Sequence, residues 1–377
     1  MKKIILIPDS FKGTLTSSEF CEIAKTTILR HYSKCDVKSI PVADGGEGTV
    51  DCFLHALDGF KIKTTVKGPF FENISSFYAI IGDTAVIEIA AAAGLSLTEK
   101  RRNPAITTTY GVGELINAAV ARGIKKIIIG LGGSGTNDGG CGAAAACGVV
   151  FKDEYGDSFI PTGESLHKIN SIHMPNNMLN GIEITVMCDI DNVMFGKTGA
   201  AHIFAAQKGA NEDMINALDN GLKHLADIVK RDLCVDVSQI PGGGAAGAMG
   251  AGMVAFFGAK LQQGIETVLD MVEFDKELQN TDLVITGEGL LDEQSLRGKV
   301  ISGVVKRSKI ANKPTIAIVG GVQGDISKMY EAGLSAVFTI NRLPEDFEVS
   351  KHKSRENLAE TVDNIIRLMK GICDCER

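Results

Sequence analysis

The sequence predicts an α/β protein: a Rossmann-like parallel-sheet domain split by an inserted second α/β domain. Three observations carry this. Both ends of the chain alternate short continuous apolar runs with helical stretches, the pattern of strands buried on both faces between crossover helices. The middle breaks that rhythm at residues 60–89, rich in Thr, Val, Ile and Phe, which read as antiparallel strands. A length of 377 residues, at roughly 150 per domain, suffices for two or three separately cored domains.

The first apolar run, Lys3–Pro8 (KIILIP), predicts a strand, closed by the turn residues DSFKG. Thr16 and Glu19 then stand at capping-box spacing, where each side chain can satisfy the other residue's backbone N–H, so a helix is expected from there to near Arg30. Residues 37–42 predict a second strand, running into ADGGEG and completing a βαβ opening. Further on, residues 113–121 and 211–230 read as helices, and 126–129 and 184–188 as apolar strands that lead into Gly-rich or acidic loops. From Asp282 the opening idiom returns: strand 282–286, helix 294–308, strands 315–319 and 336–340, and a last helix near 355–370. The expected domains are residues 1–60 with 282–377, and an insertion of 61–281.

Composition narrows the function. Glycine accounts for 43 of the 377 residues, above the usual share of roughly 7%, and it clusters in loops, as where backbone must come close to something. A net charge of -7 argues against nucleic acid as a partner. Nine cysteines, odd in number and without a Cys-x-x-Cys pair, are those of a reduced protein and leave neither a disulfide framework nor a zinc site. The N-terminal apolar run stops at Pro8 and Asp9, too short for a signal-peptide core. The uncharged stretch 241–259 is diluted by Gly and Ala, so it reads as a loop leading into a buried helix and not as a membrane span. A cytoplasmic protein without membrane or nucleic-acid partners is expected.

Open α/β sheets bind ligands beyond the carboxyl ends of their strands, so the chemistry is sought there. Asp9, Ser10, Lys12 and Gly13 follow the first strand; Asp44, Gly45, Gly46, Glu47 and Thr49 follow the second. Either group alone is ordinary turn chemistry, but two at one sheet edge favour a site. In GLGGSGTNDGGCG, Gly130, Gly132 and Gly135 spell a dinucleotide fingerprint, with Asp153 at the distance of a ribose ligand. A Rossmann helix should open at the third glycine, whereas Asn137, Asp138, Gly139, Gly140 and Gly142 prolong the loop. The firmer expectation is a cradle of backbone N–H groups for an anion. Gly196-Lys197-Thr198 would end a P-loop, but Asp191 stands where its first glycine belongs.

Asp189 and Asp191 follow a buried strand, where a carboxylate serves as metal ligand, general base or turn cap. A third Gly-rich element begins at Pro241, and Glu288, Asp292, Gln294, Ser295, Arg297 and Lys299 crowd one turn after residues 282–286, with Arg297 read as a bystander. Anion cradles, lysines and surplus carboxylates together are what phosphoryl transfer requires, with Mg²⁺ bridging phosphates. Hydrolase signatures are missing: there is no G-x-S-x-G or H-E-x-x-H, and the seven histidines avoid these motifs.

In order along the chain, PDSFKGTLTS, PVADGGEGT, NPAITTTYGVGEL, GLGGSGTNDGG, CDIDN, QKGA, PGGGAAGAMGAG and TGEGLLDEQSLRGK resemble the bacterial glycerate kinase family of the type that makes 2-phosphoglycerate. The resemblance spans nearly the whole chain. It implies ATP-dependent phosphorylation of D-glycerate and a cleft between two α/β domains. On this reading Asp189 is the general base and Lys12 binds the substrate carboxylate or the transferring phosphoryl group. Ser10, Asp44, Asn137 and Asp138 are expected around the substrate. Gly132, Gly133, Ser134, Gly242, Gly243, Gly244, Glu288 and Lys299 are expected around ATP, and Asp44 and Asp292 around Mg²⁺. The chain departs from the family pattern at Val193-Met194, at Gly135, and at Leu290, where a basic residue is common. Two rivals are an NAD-dependent oxidoreductase of a small hydroxy acid, suggested by the fingerprint at Gly130, and a glycerate-sensing binding protein, against which intact Lys12, Asp189 and Lys299 argue.

Overall fold

The computed structural model describes residues 1–377 apart from 44, 177, 180, 293, 294, 296–298, 376 and 377, and the backbone alone of 372–375. Its contacts divide the chain into two units: residues 1–43, 51–57 and 265–377, and residues 44–50 and 58–264.

In the first unit, Lys3–Pro8 forms the expected strand, and residues 4–8 are all buried. It lies inside a five-stranded parallel sheet of order Ala336–Thr339, Thr315–Val322, Leu283–Leu291, Lys3–Pro8, Asp36–Ser39. Strands from the two ends of the chain are thus direct neighbours, Leu6 opposite Ile285. Side chains alternate across the sheet. Ile316 and Ile318 join Ile4, Leu6 and Phe20 in a core completed by Val362 and Ile366 of the helix Ser354–Cys375. Ala317 and Val319 instead pack with Ile301 and Val305 of the helix Val300–Ile310. The capping box is present: Glu19 N–H donates to Thr16 Oγ1 at 3.1 Å, and Thr16 N–H to Glu19 Oε2 at 2.9 Å. It starts the helix Ser17–His31.

Three expectations shift. The second strand ends at Ser39 and not at 42, because Pro41 has no N–H to continue the ladder; single bonds from Ile40 to Leu6 and Val42 to Pro8 follow. The helix expected over 294–308 is seen over Val300–Ile310, and residue 294 lies outside the described residues. The unit boundary falls at 264/265 and not at 281/282. Arg307 draws residues 265–281 into the first unit, its guanidinium bonding Glu266 at 3.1 Å and Asp270 at 2.6 Å.

The second unit has a six-stranded mixed sheet of order Lys260–Gln262, Glu183–Met187, Lys126–Gly130, Thr84–Glu88, Asn73–Ile81, Phe60–Lys67. The antiparallel reading of residues 60–89 is correct for Phe60–Lys67 against Asn73–Ile81, and for Asn73–Ile81 against Thr84–Glu88. Thr84–Glu88 then pairs in parallel with Lys126–Gly130, so it turns an antiparallel edge into a parallel centre. A separate sheet of Ser158–Phe159, Val150–Lys152 and Ser171–His173 was not foreseen; Phe151 anchors it, edge-on to Phe256 at 5.7 Å. The loop leading into a buried helix is seen as Ala245–Phe257, broken by left-handed backbone at Ala246, Gly247 and Ala248. No helix among the described residues is long and apolar enough to cross a membrane.

Candidate active site

In the first unit, Lys3–Pro8 and Leu283–Leu291 run parallel with Pro8 beside Gly287, so the residues that follow emerge at one sheet edge. Ser10, Lys12, Glu288, Asp292 and Lys299 all line one cavity of about 480 Å³ there. Its wall also includes Leu290, 46% exposed, and Lys351. Where the family pattern commonly has a basic residue, the wall at Leu290 is therefore apolar, and Lys12, Lys299 and Lys351 bring the positive charge.

Glu288 is buried, and its Oε1 has no hydrogen-bond partner among the described residues. Burial pushes its carboxyl up to about 7; Asp9 and Asp292 push the same way, while the Ser295 hydroxyl and Lys299 oppose. Asp292 holds the turn beside it: Oδ1 accepts from Ser295 N–H at 3.0 Å and lies 3.5 Å from Lys299 Nζ. Among the described residues no group of three His, Cys, Asp or Glu could hold a metal ion. Mg²⁺ commonly needs only one or two carboxylates when phosphates supply other oxygens, and the orphaned Oε1 of Glu288 fits that donor set. Asp44, the other expected metal ligand, lies outside the described residues.

In the second unit, Lys126–Gly130 is flanked by parallel strands Thr84–Glu88 and Glu183–Met187. Beyond their ends, Gly132, Gly133, Ser134 and Asp189 line a second cavity, of about 250 Å³. Asp189 Oδ1 accepts the Gly264 N–H at 2.7 Å, which fixes the carboxylate on the cavity wall. Gly132 is glycine for a reason within the protein: a Cβ there would stand 2.5 Å from Gly46 Cα, and its N–H donates to Gly45 O at 3.0 Å. The amides of Gly135 and Gly139 are likewise taken, by Ala93 O and Gly247 O. The anion cradle expected from this loop thus reduces to its cavity-lining part, Gly133 and Ser134.

Asn137 and Asp138 do not line this cavity; both are fully buried. Asp138 Oδ2 accepts Thr109 N–H at 2.7 Å, Thr109 hydroxyl at 2.8 Å and Gly142 N–H at 3.2 Å, while Oδ1 accepts Gly140 N–H at 3.1 Å. Burial still raises its pKa. The loop opens into a helix only at Cys141, six residues past the position the dinucleotide fingerprint requires. Asp153 is occupied by a turn, accepting Tyr155 N–H at 3.0 Å and Asp157 N–H at 2.9 Å. Gly242, Gly243 and Gly244 line neither cavity. Gly243 and Gly244 donate to Ile240 O and Asn192 O, both at 2.9 Å, and a Cβ on Gly244 would collide with the Val193 carbonyl. They instead place the next two residues, Ala245 and Ala246, on the wall of the smaller cavity.

One residue escaped the sequence reading. Lys208, from the QKGA motif, lines the smaller cavity and is only 2% exposed. Its Nζ donates to Ser134 Oγ at 2.9 Å and to Thr136 O at 2.8 Å. Burial pushes the ammonium down from 10.5 to about 7, with Asp138 pulling it back up. The signal for it was the QKGA motif itself, whose Gly209, at a φ of 99°, ends a 3₁₀ turn over Ala206–Lys208.

Comparison with known proteins shows the family. The model of the glycerate kinase family matches residues 4–370. A glycerate kinase of Bacillus cereus (strain ATCC 10987 / NRS 248) is 44% identical over 373 residues, covering 98% of both chains. The glycerate 2-kinase of Escherichia coli (strain K12) is 42% identical over 343 residues, covering 90% of each. A crystal structure assigned as glycerate kinase 2 from Salmonella typhimurium LT2 superposes with a TM-score of 0.87 at 39% identity, over 99% of both chains. The kinase reading is favoured over the oxidoreductase, and the chain belongs to the glycerate kinase family.

Proposed function

We propose that this chain transfers the terminal phosphoryl group of ATP to the 2-hydroxyl of D-glycerate, giving 2-phosphoglycerate. The observation that carries the reading is Asp189, fixed by the Gly264 amide on the wall of a cavity small enough for a three-carbon acid. Pockets that enclose drug-sized ligands measure roughly 300–1,000 Å³, so the cavity of about 480 Å³ suits the nucleotide and that of about 250 Å³ the acceptor. Gly132, Gly133 and Ser134, expected at the nucleotide, are on this basis given to the acceptor.

Asp189 takes the proton of the 2-hydroxyl as that oxygen attacks phosphorus, a general-base role. Lys12 and Lys299 meet the phosphate oxygens as point charges, and Ser10 lies on the same wall. Glu288 and Asp292 would hold a Mg²⁺ brought in with the nucleotide; when bound, it supplies neutralisation of charge on the phosphate oxygens.

The test is to incubate the purified protein with D-glycerate, Mg²⁺ and either ATP or NAD. ADP should form without NADH, and ³¹P spectra of the product should match 2-phosphoglycerate. NADH, or no ADP, would overturn the reading. Asp189→Asn keeps the shape of the side chain and should lower kcat by ~10²-fold or more; near-normal turnover would remove Asp189 from the role.

A further inference from the structure

A lysine is almost never fully buried unless it is paired, because the ammonium loses its hydration. Lys208 is buried against two neutral groups, the Ser134 hydroxyl and the Thr136 carbonyl, which account for two of its three N–H bonds. Asp138 is the charge that favours its protonation. Yet the carboxylate of Asp138 is already held by Thr109, Gly140 and Gly142. Lys208 also lines a cavity, together with Asp189 and with Ser134, whose hydroxyl its Nζ bonds. A 2-hydroxy acid carries its carboxylate one carbon from the hydroxyl that Asp189 would deprotonate.

We propose that Lys208, oriented by Ser134 and the Thr136 carbonyl, binds the carboxylate of the three-carbon acceptor and makes the cavity select a hydroxy acid over a neutral polyol. The assignment rests on the smaller cavity being the acceptor site. It gives the QKGA lysine a specificity role that neither Lys12 nor Asp189 fills.

A consequence separates this role from a structural one. Without an anion, burial holds the Lys208 ammonium at about 7; an arriving carboxylate favours the charged form and raises it. Binding should therefore take up a proton above pH 7, and affinity should weaken about tenfold per pH unit there. The other ionisable groups facing this space are Asp138 behind the lysine and, on the cavity wall, Asp189 and Cys188. Burial pushes the Cys188 thiol up, so it stays neutral. A carboxyl taking up the proton would do so more as pH falls, the opposite trend.

The experiment uses the full chain saturated with ADP and Mg²⁺, titrated with D-glycerate by calorimetry in buffers of different ionisation heat. Uptake of about one proton per glycerate at pH 8, fading by pH 6, supports Lys208. Binding without proton uptake at either pH overturns it, whether or not any variant folds. In turnover, Lys208→Gln should raise the glycerate KM on the order of 100-fold and erase the preference for glycerate over glycerol, with the ADP affinity unchanged; Lys208→Arg should recover part of the preference. If Lys208→Gln keeps the wild-type glycerate KM, this assignment falls while the kinase reading stands. If the wild type neither binds nor phosphorylates glycerate, both fall together.

Discussion

Glu288 and Lys208 are buried ionisable side chains in different units, on the walls of different cavities, and burial moves them toward neutrality from opposite sides. The carboxyl is pushed up to about 7 and the ammonium down to about 7. Glu288 has Asp9 and Asp292 raising it further and Lys299 opposing; Lys208 has Asp138 favouring its charge. The same desolvation therefore prepares two opposite sites. A cation restores charge to Glu288, and an anion restores it to Lys208. A phosphoryl-transfer enzyme for an acid needs both, and the sign of the buried group distinguishes the cavities better than their size does.

The pH dependence of stability can break that contrast. For Lys208 the folded value of about 7 lies below the ordinary 10.5, so between those values the unfolded chain binds more protons. Wild-type stability should rise with pH across pH 7–10.5, by roughly 5 kcal/mol relative to Lys208→Met. Urea unfolding of the two proteins from pH 7 to 10 checks this, and parallel curves would refute the buried ammonium.

Glu288 should give the reverse and somewhat smaller effect. Its folded value of about 7 lies above the ordinary 4.5, so the folded state binds the extra proton. Stability present below pH 4.5 is lost as pH rises through 7, by about 3 kcal/mol. Glu288→Gln should escape that loss and overtake the wild type by pH 8. A variant that gained nothing would show that Lys299 compensates the carboxylate fully.

These two residues also mark what the sequence could and could not tell. Glu288 was legible because it follows a strand that reads as buried, and the rule that ligands collect at strand ends points directly to it. The same rule points to Ser10, Lys12, Asp189 and Asp292, each of which lines a cavity. Lys208 was illegible because no strand leads to it: a 3₁₀ turn carries it inward, and the loop that receives it, Ser134 to Thr136, is some seventy residues earlier in sequence. The small sheet around Phe151 escaped for another reason. Its strands are two or three residues long, too short to show an alternation. Glycine was the most misleading signal, since it marks close backbone approach without saying whose. At Gly243 and Gly244 the approaching backbone belongs to Ile240 and to Asn192 and Val193, and a sequence cannot separate that from a phosphate.

Adjacent glycines in the smaller cavity allow the two causes to be separated. Gly132 lacks a side chain because Gly46 backbone stands where a Cβ would go, at 2.5 Å. Gly133 lacks one because its φ is 72°, while a Cβ there would meet only Ala90 Cβ at 3.6 Å and Glu47 Cγ at 3.9 Å. Gly132→Ala must displace backbone and should destabilise the fold by about 2 kcal/mol. Gly133→Ala adds only the strain of a left-handed alanine, about 1 kcal/mol. Both residues line the smaller cavity, the proposed acceptor site, so both variants should raise the glycerate KM and leave the nucleotide KM unchanged, Gly132→Ala the more strongly. Equal unfolding midpoints for the two would mean that the Gly45–Gly46 segment yields freely. The wall around Lys208 would then be adaptable, and selection of the acid would rest on the charge of the lysine and not on a fixed shape.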